Sequence, residues 1–243
     1  MLDGVLLEDS ENAVLAPRRI RYVNSFEDLI TARFEGDINA LCWTRQLPGD
    51  FQELVDQIQA DGEITTITEG TLAGLTLSAA GSVAREVLLA DQALLRGHGL
   101  EPTLDCIAGY PRDDPASPIP TDVYSFHVDR APMAADTYLC TYVGATSEGL
   151  PNEAAIRRVD VAETRAQLLK IHGGADDETF AAYLSEHSFD LHYLPLPGAQ
   201  PYSFGLGNLW RIAIAYPDCP VLPCIHRAPL TPPGAPARLL LIS

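Results

Sequence analysis

VYSFHVD, residues 123–129, is the segment with the clearest structural signature in this chain. Its side chains alternate with a period of two, so that His127 and Asp129 face one way and Tyr124, Phe126 and Val128 face the other. This alternation predicts a β-strand with one polar and one apolar face. A second strand is expected at residues 137–143, and its short distance along the chain predicts that the two form an antiparallel pair.

Further strands are expected toward the C-terminus, at residues 209–216, 221–226 and 237–243. The turns between them are rich in Gly and Pro, which favours short antiparallel strands. A proline-rich loop at residues 111–121 indicates a boundary between layers of one domain rather than between two domains. We therefore predict an α+β fold in which residues 120–243 form a double-stranded β-helix of the jelly-roll or cupin-like type.

Helices are predicted both before and after the first predicted strand in the chain. Apolar side chains recur at helical spacing after a start signal at residues 48–50, and a second helix is expected at about residues 82–95. Residues 1–110 are therefore predicted to form a mainly helical N-terminal layer. Two more helices are expected at about residues 153–188, as a helical insertion in the core. The whole chain, residues 1–243, is predicted to form one domain.

Composition argues against several classes of protein. Among 243 residues, 33 acidic and 16 basic side chains give a formal net charge of -17, which repels phosphate backbones and anionic lipids. We therefore expect no nucleic-acid partner and no membrane partner. The N-terminus has no basic region followed by an apolar stretch, and a cytoplasmic location is predicted. The five cysteines never form a CxxC pair, which indicates small buried residues rather than disulfides or a zinc site.

The polar face of the first strand indicates a metal site. His127 and Asp129, at positions i and i+2, direct an imidazole and a carboxylate toward one point. His226 is the best candidate for a third ligand, because antiparallel folding brings distant strands side by side. Two imidazoles and one carboxylate form the facial triad of non-haem Fe(II) oxygenases, which leaves positions open for a co-substrate and O2. The predicted helical insertion lies between the two halves of this metal motif.

Arg238 follows His226 by twelve positions and lies in the last, strongly apolar predicted strand. A guanidinium buried among leucines requires a partner, because an unpaired buried charge is costly. The residues leave two kinds of partner open. One is a carboxylate co-substrate bound bidentately, and the other is one of the many Asp and Glu side chains of this chain.

His127-x-Asp129, His226 and Arg238 together resemble the motif of the Fe(II)/2-oxoglutarate-dependent dioxygenases. The resemblance implies a double-stranded β-helix in which His127, Asp129 and His226 are the catalytic Fe(II) ligands. It also implies that Arg238 binds the far carboxylate of 2-oxoglutarate.

Six segments carry a closer likeness: DINALCWTR (37–45), FHVD (126–129), LCTYVG (139–144), LPN (150–152), HRAP (226–229) and RLLL (238–241). Together they resemble the domain-of-unknown-function 1826 family. This resemblance implies a metal oxygenase scaffold, and it implies no substrate.

One face of the predicted strand at residues 137–143 is expected to line the pocket. The candidates are the face with Tyr138 and Tyr142 and the face with the two threonines, and alternation alone leaves the choice open. We assign Tyr138 and Tyr142 as the candidate cofactor-binding pair. Asn152 and Arg211 are weaker candidates for the pocket.

Other polar residues are expected to have structural roles. His187, Asp190 and His192 form a compact group at a predicted helix end, which indicates a surface cluster rather than a second metal site. Arg227 neighbours a candidate ligand but points to the opposite face of its strand, so an ion pair is expected for it.

These features predict an Fe(II)/2-oxoglutarate-dependent dioxygenase that oxidises a C–H bond of a small molecule by hydroxylation, desaturation or oxidative cyclisation. The acidic surface favours an amino acid or an amine as substrate. One alternative is an iron oxygenase that does not use 2-oxoglutarate, in which Arg238 binds the substrate's own carboxylate. Another is a non-catalytic cupin-like protein that binds a metal or a ligand. Strand edges and the N-terminal helices are candidate surfaces for a homodimer.

Overall fold

The computed structural model describes residues 18–58, 62–232 and 234–243. The N-terminal segment on which the predicted location depends lies outside the described residues, as does the start of the predicted N-terminal layer. Within the described part of the chain, no helix has both the length and the apolar composition that crossing a bilayer requires.

The fold is α+β, with short strands and helices interspersed along the chain. The helices are α1 (Phe26–Thr31), α2 (Phe51–Gln57), α3 (Glu69–Gly74), α4 (Ala79–Gly97), α5 (Ala162–His172) and α6 (Glu178–Glu186). The strands are β1 (Ile20–Val23), β2 (Ala40–Trp43), β3 (Ile64–Thr66), β4 (Thr103–Ile107), β5 (Phe126–His127), β6 (Asp136–Val143), β7 (Glu148–Leu150), β8 (Ala155–Arg157), β9 (His192–Pro195), β10 (Tyr202–Ser203), β11 (Leu209–Ala213), β12 (Ile225–Arg227) and β13 (Arg238–Ile242).

These strands form two mostly antiparallel sheets. The larger sheet has seven strands in the order β1-β2-β11-β6-β13-β4-β3, and the smaller has six in the order β10-β7-β12-β5-β9-β8. Strands β1 and β2 are the one parallel pair among the described strand pairs. From β4 to β7 the chain changes sheet at every strand, and it does so again from β10 to β13. Strands that are neighbours in sequence are therefore often in different sheets.

The predicted pairing between residues 123–129 and the strand at residues 137–143 is wrong. Residues 123–125 form a turn, and β5 has β12 and β9 as its neighbours in the smaller sheet. Strand β6 lies in the larger sheet between β11 and β13. Alternation specifies which residues share a face, but the choice of partner strand depends on contacts that are distant in sequence.

The helices predicted before the core are confirmed. Asp50 caps α2 by accepting hydrogen bonds from two backbone N–H groups, and Ser78 caps α4 by accepting one from the N–H of Gly81. Buried leucines of both helices, including Leu54 and Leu88, pack with residues on one face of the larger sheet. The N-terminal region is less purely helical than predicted, because it also contributes β1 to β4 to that sheet.

The two helices predicted within residues 153–188 are also present. Asp177 caps α6, and Phe180 and Leu184 of that helix are buried together with Leu168 of α5. The segment is more than a helical insertion, because β8 and β9 flank the helices and extend the smaller sheet beyond β5.

Strands β6 and β13 each have two buried faces. Cys140 and Tyr142 pack toward the helices, whereas Leu139 and Leu240 pack in a second cluster together with Cys224, which precedes β12 of the smaller sheet. All five cysteines are free and four of them are buried, as predicted. The larger sheet therefore separates a helix-side core from a core shared with the smaller sheet.

Candidate metal centre

His127 of β5 and His226 of β12 lie directly opposite each other in antiparallel register. Cross-strand partners share a face of the sheet, and the two imidazole centroids are 4.6 Å apart. The carboxylate of Asp129 lies 3.8 Å from Nε2 of His127 and 3.7 Å from Nε2 of His226. The structure thus brings together the three ligands predicted from the sequence.

Backbone carbonyl groups orient both imidazoles. Nδ1 of His127 lies 2.8 Å from the carbonyl oxygen of Ser125, and Nδ1 of His226 lies 3.3 Å from that of Cys224. A carbonyl oxygen only accepts, so each Nδ1 donates its hydrogen and each neutral ring keeps a lone pair on Nε2. Such hydrogen bonds fix the orientation of histidines that bind metals.

The electrostatics of the cluster favour its metal-binding form. Burial, and next the neighbouring His226, lower the pKa of His127 to about 4. Burial alone raises the pKa of Asp129, but His226 and the Thr137 hydroxyl, which donates to Oδ2 at 2.6 Å, outweigh it and lower that pKa. At neutral pH His127 is therefore a neutral imidazole and Asp129 a carboxylate, the forms that bind metals.

The geometry and the donor set both fit a divalent metal. One ligand atom from each of His127, Asp129 and His226 lies within 4.8 Å of the others, and no other such group of three occurs in the described residues. Metal–ligand bonds of about 2 Å place adjacent donors about 3 Å apart, somewhat closer than the 3.8 and 3.7 Å between the carboxylate and the two Nε2 atoms. Two imidazole nitrogens and one carboxylate are the donors that hold non-haem Fe(II) with positions left open.

Arg238 is fully buried in the structure, with 2% of its surface exposed. Within the described residues, its guanidinium donates hydrogen bonds only to hydroxyl groups, those of Ser147 at 3.1 Å, Tyr110 at 3.2 Å and Thr141 at 3.4 Å. Its Nε has no partner, and no carboxylate of the described residues forms an ion pair with it. Burial lowers the pKa of Arg238. A structural acid, one of the two partners left open by the sequence, is therefore not found in the described part of the chain.

The threonine face of β6 connects this arginine with the metal cluster. Thr137 donates to the carboxylate of Asp129, and Thr141 accepts a hydrogen bond from Arg238. Residues four positions apart on one strand lie on the same face, about 13 Å apart along the chain. The carboxylate and the guanidinium are therefore both held from the same face of β6.

The structure places Tyr138 and Tyr142, the predicted cofactor-binding pair, away from the metal ligands. Both lie on the other face of β6, in the core beneath the helices. Tyr142 donates to Asp91 at 2.6 Å, and Asp91 in turn forms a bidentate ion pair with Arg45. The strict alternation of the strand places the tyrosines opposite the two threonines.

His192 was missed as a residue of this region. The sequence indicates a surface cluster, but His192 is buried on β9 as the cross-strand partner of His127. His187 is exposed, and Asp190 forms an ion pair with Arg130. The short apolar run YLPL, residues 193–196 after the helix end, is the local signal that could have indicated a strand.

The remaining candidates have structural contacts. Arg227 forms the expected ion pair, with Glu148, at 2.6 Å. Arg211 pairs with Asp136 and also donates to backbone carbonyl groups at the end of α1. Asn152 donates to the carbonyl group of Pro223. The structure does not bring Arg211 or Asn152 to the metal ligands.

No protein-family model, curated protein or solved structure matches this chain. Chemically, the arrangement can bind one divalent metal through His127, Asp129 and His226, and it can bind one acidic group at Arg238.

Proposed function

We propose that this protein is an Fe(II)/2-oxoglutarate-dependent oxygenase that oxidises a C–H bond of a small molecule. The observation that carries this proposal is a cluster of two histidines and one aspartate together with a buried arginine that has no acidic partner among the described residues. A site that only stores a metal needs neither open coordination positions nor an anchor for an anion. The resemblance of the same residues to the dioxygenase motif supports the same conclusion.

The arrangement of strands supports a double-stranded β-helix as the scaffold. Eight strands form two sets of four neighbours, β11-β6-β13-β4 in the larger sheet and β10-β7-β12-β5 in the smaller. The chain alternates between the two sets from β4 to β7 and again from β10 to β13. Strands β8 and β9 are additions at one edge of the smaller sheet. Eight antiparallel strands divided between two sheets are typical of jelly-roll folds.

His127, Asp129 and His226 are the residues that would hold Fe(II). The bound metal supplies the chemistry by which 2-oxoglutarate, O2 and a substrate C–H bond give succinate, CO2 and an oxidised product. The protein contributes the orientation of the ligands through the Nδ1 hydrogen bonds and through Thr137.

Arg238 binds the far carboxylate of 2-oxoglutarate. Its buried guanidinium offers N–H donors in a fixed fork, which suits a planar carboxylate. Ser147, Thr141 and Tyr110 hold the guanidinium without neutralising it, because hydroxyl groups carry no charge. The positive charge is therefore free for a ligand.

An anaerobic binding experiment tests this proposal. Fe(II) and then 2-oxoglutarate are added to the metal-free protein, and the visible charge-transfer band of a chelated keto acid is recorded. We expect the band with the wild type and no band with His226→Ala. Truncating one partner of a buried charge pair costs about 2 kcal/mol or more, so Arg238→Met should weaken 2-oxoglutarate binding by about 30-fold or more.

Arg227→Gln is the matched control. Arg227 neighbours His226 but pairs with Glu148 on the opposite face, so this variant should keep the band. Iron binding without a band would remove 2-oxoglutarate from the proposal and leave an iron oxygenase whose substrate carboxylate binds Arg238. Absence of iron binding in the wild type would refute the metal site itself.

A further inference from the structure

The row of cross-strand partners that holds the two metal-ligating histidines continues across the smaller sheet in both directions. Gly149 of β7 pairs with His226, and His192 of β9 pairs with His127. The ring of Tyr202 lies directly over Gly149, where a Cβ atom would clash with it. Tyr202 therefore covers the Gly149 end of the row, whereas His192 lies at the other end.

Arg158 is the next polar residue beyond His192. Arg157, the last residue of β8, pairs with Tyr193, and Arg158 follows it as the first residue of a short 3-10 helix, Arg158–Asp160, that packs against β9. The charge of Arg158 acts on that imidazole, because burial and then Arg158 lower the pKa of His192 to about 4. Arg158 is half-buried, and its Nε is buried without a hydrogen-bond partner. Its guanidinium forms no ion pair with any residue that the structure describes.

The two acidic side chains whose charges act on this pair are bound elsewhere. Asp122 accepts hydrogen bonds from the backbone N–H groups of Asp113 and Tyr124. Asp113 accepts from the N–H and the hydroxyl of Thr121 and from the N–H of Asp122. Neither carboxylate forms an ion pair with Arg158. A half-buried guanidinium without an anion is costly unless a ligand supplies one.

His192 offers a hydrogen-bond acceptor beside this donor. Its Nδ1 lies 2.5 Å from the hydroxyl oxygen of Ser125, and that hydroxyl donates to the carbonyl oxygen of Pro120 at 3.1 Å. A hydroxyl group has one hydrogen, so both contacts are hydrogen bonds only if Nδ1 donates to Ser125. The Nε2 atom of the neutral imidazole is then the acceptor.

We infer that Arg158 and His192 form the subsite for an acidic head group of the substrate. Arg158 binds a carboxylate, and Nε2 of His192 accepts a hydrogen bond from a hydroxyl or amino group next to that carboxylate. The substrate is therefore a small hydroxy acid or amino acid, and an amine without a carboxylate does not fit.

The distances along the sheet suit such a molecule. Adjacent strands lie about 4.8 Å apart, so the backbone of His192 is about 5 Å from His127, and the end of β8, which Arg158 follows, is about 10 Å from the strand of His127. A small acid anchored at Arg158 spans this distance and places a carbon atom near the metal ligands. The reaction at that carbon rests on the proposed function, whereas the subsite itself requires neither the metal nor 2-oxoglutarate.

Arginine side-chain NMR of the metal-free protein tests the subsite directly. The Nε–H signal of Arg158 is assigned by its loss in Arg158→Gln and followed during titration with acetate, glycolate or acetamide. Acetate and glycolate should shift the signal saturably, and uncharged acetamide should not. Glycolate should bind about five-fold more tightly than acetate through one additional hydrogen bond. His192→Phe should remove that difference between the two acids.

Arg157→Gln is the matched control, because Arg157 is the preceding residue, is exposed and pairs with Asp160. This variant should bind both acids as the wild type does. A wild-type signal that does not respond to acetate, or that responds equally to acetamide, overturns the inference. So does loss of the response in Arg238→Met, since the acid would then bind at Arg238. A 2-oxoglutarate band without a response at Arg158 refutes only the subsite, and a response at Arg158 without a band refutes only the proposed cofactor.

Discussion

Replacing Arg238 by methionine is expected to stabilise the ligand-free protein while removing its response to 2-oxoglutarate. The guanidinium is 2% exposed and has no acidic partner among the described residues, so its burial costs several kcal/mol. Against this cost stand hydrogen bonds of 3.1, 3.2 and 3.4 Å to three hydroxyl groups. Each of these bonds contributes about 1 kcal/mol net. Methionine is an unbranched apolar side chain that carries no charge.

These contributions nearly cancel, and we expect Arg238→Met to raise the free energy of unfolding by about 1 to 2 kcal/mol. For a chain of this size, 1 kcal/mol changes the melting temperature by about 2–4 °C, so the variant should melt about 2–8 °C higher. In the wild type, 2-oxoglutarate at about 100 times its Kd adds about 2.7 kcal/mol of stability. The variant should not gain this increment.

Thermal unfolding under anaerobic conditions with Fe(II), recorded with and without 2-oxoglutarate, measures both effects. Arg227→Met removes an arginine from β12 of the smaller sheet, and it should keep the full increment from the ligand. A ligand-free Arg238→Met protein that melts below the wild type would refute the reasoning. In that case the contacts of the guanidinium with hydroxyl groups would outweigh its desolvation, and Arg238 would have a structural role.

Between pH 6.5 and about 4 the unfolded chain binds protons at His127 and His192 that the native state excludes, since burial lowers both pKa values to about 4. The metal-free protein should therefore lose stability as the pH falls through this range, and urea unfolding at a series of pH values that gives no slope would contradict the burial of these rings. Tyr142→Phe should cost about 1.5–3 kcal/mol by removing the hydrogen bond to the charged Asp91, and it should leave 2-oxoglutarate binding unchanged in the absorption assay. Thr137→Val should weaken iron binding by about 10- to 100-fold in equilibrium dialysis, because the ligand carboxylate loses its orienting hydroxyl; an unchanged affinity would exclude this role.

Much of the local structure follows from the sequence alone. The helix that begins after Asp50 and the strand at residues 137–143 are present where their periodicities predict them. Asp129 also lies beside His127, as expected for side chains two apart on an extended chain. These features depend on interactions between residues close in the chain.

The three residues of the candidate metal centre could be predicted from their types and from their places on predicted strands. Imidazole and carboxylate groups at i and i+2, with one further histidine on a late strand, are donors that suit a divalent metal. The positions of Tyr138 and Tyr142 could not be predicted, because the two faces of β6 are both buried and the sequence pattern does not distinguish a core beneath helices from a core between sheets.

The sequence by itself determined the local elements, the residue types at the metal cluster and the presence of a buried arginine. The tertiary structure determined that β5 pairs with β12 and β9 rather than with β6, which aligns His226, His127 and His192 in one row. Strand pairing depends on the total burial of two sheets and on connections that cross between them. Alternation along a single strand carries no information about either.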